Sequence, residues 1–267
     1  IKLIYQNLRL LYKFNIFKKC EEVNKMNNYG VKLDSLDDAL IDIQQGKPII
    51  LMDNPGREGE GDFLVSAAKI TPTTMKFVLD NAKGAFIAIF MPEDYATQFG
   101  LPGQVDASDN QESSQTNFRL TTDTLYGHSG CSAAERAQTA NILGGRFVPY
   151  QTGENGRPFD YSRLVSGELE ERASTPEDLV RPGHLVPIAG NPQGLYARQG
   201  HTESGIELMK LAGINPPVVV DMEILHPDDP YKMASPAQLR GLADQYDLKV
   251  ISISQICDRL GVEEKKF

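Results

Sequence analysis

Apolar residues in LDSLDDALIDIQQG (33–46) recur every three or four positions, the period of a helix that buries one face. The run that follows, KPIILMD (47–53), is apolar through its middle, as in a strand covered on both sides. TPTTMKFVLDNAKG (71–84) reads as a helix with Thr71 as N-cap, Pro72 at its first position and Gly84 at its end. AFIAIF (85–90) is strand-like, CSAAERAQTANILGG (131–145) helical with a glycine stop, and HTESGIELMKLAG (201–213) helical with Thr202 as cap and Gly213 as terminator. PVVVDMEIL (217–225) is a β-branched strand, SPAQLRGLADQYD (235–247) a helix, and LKVISI (248–253) a last strand before a short C-terminal helix. Alternation of this kind predicts an α/β (α+β) fold, a mixed β-sheet sandwich with flanking helices. The segment 146–180 breaks the pattern: polar, rich in Gly and Pro and long for a connection, it is expected to be an insertion or lid within a single domain spanning 26–267.

The chain has 267 residues, 40 % of them hydrophobic, enough to bury a real core. No stretch approaches the roughly 20 apolar residues of a membrane helix. Lys and Arg number 27 against 36 Asp and Glu, for a formal charge of −9. Residues 1–25 hold six of the basic residues and two of the acidic ones, leaving 21 against 34 in the remainder. So acidic a body has no general attraction for nucleic acid, though placed arginines can hold an anionic substrate. The basic stretch 1–25 is read as a leader outside the fold, either a targeting peptide or a leftover segment, with Met26 a natural start. Cys20, Cys131 and Cys257 are odd in number and far apart, which argues against a disulfide framework or thiolate zinc site and suits a reducing compartment such as the cytoplasm.

Candidate chemistry begins at GREGEGD (56–62), where Glu58, Glu60 and Asp62 alternate with glycines directly after the 47–53 strand. Like charges held close need a cation, a proton or water to offset them. By itself the stretch fits an acidic solvent-facing turn about as well as a hard-cation site. His184 closes RPGH (181–184) and His201 sits in ARQGHTE (197–203), each three residues after an arginine. Arg198 beside the start of the 201–213 helix makes a sensible phosphate site, its guanidinium joined by unpaired backbone N–H groups. GHSGCSAAER (127–136) is simplest as a capped helix start. Glu223 in VVVDMEIL must point outward or be buried for a reason.

Taken together these stretches resemble the 3,4-dihydroxy-2-butanone 4-phosphate synthase family of riboflavin biosynthesis. Arg57-Glu58-Gly59-Glu60-Gly61-Asp62 stands in the place of its R-E-N-E-G-D loop, Arg181-Pro182-Gly183-His184 matches its R-P-G-H, and Arg198-Gln199-Gly200-His201-Thr202-Glu203 its R-x-G-H-T-E, in the same order. The likeness runs from about Leu33 to Leu260. It implies a Mg²⁺-dependent lyase, with Mn²⁺ as the substitute ion, that converts D-ribulose 5-phosphate into L-3,4-dihydroxy-2-butanone 4-phosphate and formate. It also implies Glu58 and His201 as metal ligands, and Glu60, Asp62, His184 and Glu223 as acid–base groups. Substrate would be held by Arg57, Glu58, Asp62, Thr116, Arg198, Gln199, Gly200, His201 and Thr202, in a homodimer with sites near the interface. The chain departs from the pattern at Gly59, at a strand cysteine replaced by Ile87 or Ala88, in the 128–136 turn, in the length of 146–180 and by one residue after Gly213. Two further readings stand beside this one: the same chemistry on a different sugar or polyol phosphate, and a catalytically inactive partner protein.

Overall fold

The computed structural model describes residues 29–84, 86–150 and 171–265. The chain divides into residues 1–32 and 33–267, and every element below belongs to the second unit. The leader at 1–25 and the middle of the 146–180 segment lie outside the described residues.

Helix α1 (Leu36–Gln44) leads into the hairpin of β1 (Ile49–Met52) and β2 (Gly61–Ser66), whose ten residues are all buried. Helix α2 (Pro72–Ala82) starts as expected, Thr71 accepting the Thr74 N–H at 3.1 Å with Pro72 behind it. Strand β3 (Ala88–Pro92), the short α3 (Glu93–Gln98), β4 (Asn117–Phe118) and β5 (Thr122–Thr124) follow. Helix α4 (Ala133–Leu143) opens with a capping box of Ser132 and Glu135. Strands β6 (Arg146–Phe147) and β7 (Arg172–Ala173) pair with each other and bracket the polar segment. Strand β8 (Leu179–Gly190), α5 (His201–Leu211), β9 (Val219–Glu223), α6 (Pro236–Tyr246), β10 (Val250–Ser252) and α7 (Ile253–Leu260) complete the order.

The main sheet runs β10-β1-β2-β9-β3-β8-β4, with β5 also on β8; β1/β10 and β3/β8 are parallel and the other pairs antiparallel. Alternation along the strands sends Leu51, Leu64, Phe90 and Val219 to one face, where they pack with Ile43 of α1, Ile206 of α5 and Ile256 of α7. Phe63 points the opposite way onto Phe77 of α2, ring centroids 5.9 Å apart, and Phe77 meets Tyr246 of α6 at 5.0 Å. The result is a sheet with helices on both faces. Truncating a buried aromatic such as Phe63 would cost about 3–5 kcal/mol.

Six strands, β2 and β4 to β8, lie outside the sequence-based expectation. Within β8, Pro182 and Pro187 lack amide donors, a pattern that argues against an interior strand. The strand forms because neighbours on both sides use its other groups: the Pro187 carbonyl accepts Arg119 N–H at 2.8 Å. Gly183 lets β5 come close, since a Cβ there would lie 2.1 Å from the Thr122 carbonyl carbon.

Candidate active site

The loop between β1 and β2 is folded around one carboxylate. Asp53, fully buried, accepts the Glu58 N–H at 3.2 Å, the Glu60 N–H at 3.1 Å and the Arg57 guanidinium at 3.0 Å. Its own N–H donates to the Glu60 carbonyl at 3.1 Å, which closes the loop. Gly59 has φ +70°, the left-handed region open to glycine and, among side-chain residues, best to asparagine. The asparagine that the family resemblance puts there and the glycine found here therefore satisfy the same backbone demand.

Helix α5 delivers His201 to this loop. Oxygens of Asp53 and Glu58 and a ring nitrogen of His201 all lie within 4.8 Å of one another. Among the described residues His201 Nε2 is buried without a hydrogen-bond partner, while Nδ1 lies 3.2 Å from Asp62 Oδ2. Burial pulls the His201 ring down to about 4, which the Asp53 charge partly opposes and Arg57 reinforces, so the imidazole is neutral with a free nitrogen. Two carboxylates and one neutral imidazole suit a divalent cation, and the orphaned Nε2 is the atom such an ion would satisfy. Arg57 bridges the two acids, 3.0 Å from Asp53 and 2.6 Å from Glu58.

Behind this triad lies a proton-rich cluster. Asp62 pairs in register with Glu223, and Leu64 with Asp221, so the three acids occupy neighbouring positions on one face of β2 and β9. Burial pushes Glu60 up to about 7, helped by the Glu223, Glu58 and Asp53 charges and countered by Arg57. Glu223 is raised by burial and by Glu58. Asp62 and Asp221 are both raised well above the carboxylate range, chiefly by burial and then, for Asp62, by the Asp221 charge. Oδ1 of each takes no hydrogen bond from any described donor. A side-chain hydrogen bond links the pair, which requires that one of them carry the proton that the other accepts.

The other expected residues divide into two groups. Arg198 contacts Glu203 at 3.0 Å and Thr116 Oγ1 at 3.2 Å, and a Cβ on Gly200 would lie 2.9 Å from Arg198 and 3.3 Å from Arg57, so both guanidinium groups flank the start of α5. Thr202 is not the cap of this helix: Gly200 occupies that position without a side-chain cap, and Thr202 is buried in the first turn. That leaves the first N–H groups of α5 without a side-chain acceptor. The buried Gln199 spends its amide on the C-terminal segment, donating to the Glu263 carbonyl and accepting from Lys265 N–H, each at 2.8 Å.

His184 stands apart from the triad. Its Nδ1 lies 2.6 Å from Asp123 Oδ2 and its N–H donates to Asp123 Oδ1 at 3.0 Å. The sheet places it two strands from Glu223, on the order of 10 Å at ordinary strand spacing. Three residues of the site escaped the sequence reading. Asp53 closes an apolar strand, Asp221 interrupts a β-branched one, and Asp123 follows two threonines; the first two carried a signal as acids in apolar runs.

The model of the family described as 3,4-dihydroxy-2-butanone 4-phosphate synthase matches residues 37–259. The bifunctional riboflavin biosynthesis protein RIBA 1, chloroplastic, of Arabidopsis thaliana is 35 % identical over 223 residues, which are 83 % of this chain and 36 % of that protein. The chain thus spans about a third of the length of that curated relative. The solved structure of RibBX, a two-domain 3,4-dihydroxy-2-butanone 4-phosphate synthase from A. baumannii, superposes with a TM-score of 0.69 at 28 % identity, over 87 % of this chain and 59 % of that one. A structure of 3,4-dihydroxy-2-butanone 4-phosphate synthase in complex with two magnesium ions shares the fold, with a TM-score of 0.68 at 24 % identity over 85 % of this chain and 96 % of that one.

Proposed function

The chain belongs to the 3,4-dihydroxy-2-butanone 4-phosphate synthase family, and from that premise we propose that it is a Mg²⁺-dependent lyase forming L-3,4-dihydroxy-2-butanone 4-phosphate and formate from D-ribulose 5-phosphate. The observation that carries the reading is the Asp53–Glu58–His201 group, whose one unpaired ring nitrogen is buried beside two carboxylates. Glu58 and His201, joined by Asp53, would hold the ion, with Mn²⁺ able to substitute. When bound, a divalent ion lends Lewis acidity to the ketone and neighbouring hydroxyl of a sugar, which eases enolisation.

The chain's own groups supply the proton handling and the grip. Glu60, titrating near 7, can both take and return a proton at working pH, and Glu223 lies close enough for its charge to raise Glu60. Asp62 orients the His201 ring through Nδ1. Asp123 likewise holds His184 by Nδ1 and so leaves Nε2 as the reactive nitrogen. Arg57, Arg198, Thr116 and the uncapped N–H groups at Gly200, His201 and Thr202 suit a phosphate, Gln199 standing behind them. A homodimer and a cytoplasmic location belong to the same reading, testable by light scattering and by fractionation; among the described residues no helix is long and apolar enough to cross a membrane. Chemistry on a different sugar phosphate, or an inactive partner role, gains no support from the relatives.

Incubation with ribulose 5-phosphate and Mg²⁺ should release one formate per sugar consumed. Glu58→Gln and His201→Ala should each abolish turnover with the fold retained. Near-wild-type turnover in either variant, or no formate from the wild type, refutes the proposal.

A further inference from the structure

The C-terminal segment reaches both loops that carry the candidate ligands. Helix α7 ends at Gly261 in the left-handed conformation, and Val262 N–H returns to the Cys257 carbonyl at 2.9 Å while its side chain enters the core. This stop turns residues 263–265 back across the protein. Glu264 accepts from Asn54 Nδ2 at 2.8 Å and from Ser254 Oγ at 3.2 Å. Asn54 in turn accepts the Gly56 N–H on its side chain and the Arg57 N–H on its carbonyl, so it shapes the turn immediately before Glu58. On the other side Gln199 pairs with Glu263 and Lys265 in the manner of a strand, and Lys265 Nζ donates to the Ala197 carbonyl at 2.5 Å. Gln199 precedes His201 by two residues.

We infer that residues 263–265 form a strap that sets the spacing between the Glu58 loop and the His201 loop, with Glu264 and Gln199 as positioning residues for the cation site. The inference rests on the metal reading above. Neither residue is a ligand. Each fixes the backbone beside one, and side chains in such supporting roles commonly change metal affinity by about 10–100-fold.

The test uses the whole chain and Mg²⁺ alone. Titration calorimetry should show Mg²⁺ affinity falling about tenfold in Glu264→Ala and in Gln199→Ala. Glu264→Gln, whose amide oxygen still accepts from Asn54 while its NH₂ can donate to Ser254 Oγ, should retain the wild-type value. Hydrogen exchange without metal gives the second readout: Glu264→Ala, altered at the Asn54 end, should speed exchange at Gly200 and His201 as well as at Gly56–Glu60. Loss of Mg²⁺ binding in Glu58→Gln with unchanged binding in both strap variants overturns the strap alone. Faster exchange confined to the Asn54 side overturns it too. If Glu58→Gln binds Mg²⁺ as the wild type does, the metal reading fails, while the exchange experiment still decides whether the strap couples the loops.

Discussion

Replacing Asp53 by alanine isolates the residue on which the acidic loop is built. The substitution removes three hydrogen bonds to one buried carboxylate: two from backbone N–H groups and one from a guanidinium. Bonds to a charged partner are worth about 1.5–3 kcal/mol each when both ends stay dry. Here Glu58 is exposed and Glu60 partly so, which lets water recover the two backbone donors. Their loss therefore falls below that range, about 1 kcal/mol each, with about 1 kcal/mol more for the half-relieved Arg57 pair. A total near 3 kcal/mol should lower Tm by about 6–12 °C for a domain of this size. The assay is a thermal melt with and without Mg²⁺. The wild type should gain stability with Mg²⁺, because a cation that binds only the folded state raises it by mass action. Asp53→Ala should lose that increment as well as the loop. A Tm fall under about 2 °C, or an undiminished Mg²⁺ increment, would refute the placing of Asp53 at the centre of the loop and site.

Three other outcomes follow from the same geometry. Glu60, raised to about 7 from an unfolded value of 4.5, binds its proton more tightly in the folded state, so metal-free stability should fall as pH rises from 4.5 through 7; Glu60→Gln should flatten that slope in melts across pH. Asp123→Asn should cut kcat by about 10²–10⁴-fold with little change in Tm, and ¹⁵N NMR of the imidazole should show the proton leaving Nδ1 of His184; an unchanged tautomer would sink the dyad. At Gly59, asparagine should cost only a few tenths of a kcal/mol whereas valine should cost about 1–2 kcal/mol, measured by urea denaturation.

Much of this was legible in the chain. The acidic loop and the helix that begins at His201 stand out because charge and glycine interrupt apolar runs, and their residues meet in space. Helix starts at Thr71, Ser132 and Ser235 follow from local capping chemistry, which needs no tertiary information. What the pattern hides is set by partners far away in sequence. Strand β8 is a strand only because β3 and β5 flank it, against the local bias of its prolines. Asp123 acts on a histidine 61 positions later. Gln199 reads as a substrate contact in its motif, yet its amide is committed to a segment 64 to 66 residues downstream. The start of α5 moved as well, because Gly200 rather than Thr202 leaves the helix uncapped.

The alternation of faces in β2 also limits how the gene can vary in length. Asp62 and Leu64 point to the layer of α5, and Phe63 to that of α2. One codon added or lost inside this strand would exchange the two sets, driving a carboxylate among aromatic rings and a phenylalanine toward His201. Asp62 follows Asp53 by nine positions, and that interval is therefore a ruler for the site. Insertions and deletions should accumulate instead in connections that pair with no neighbouring strand, where no register has to be kept.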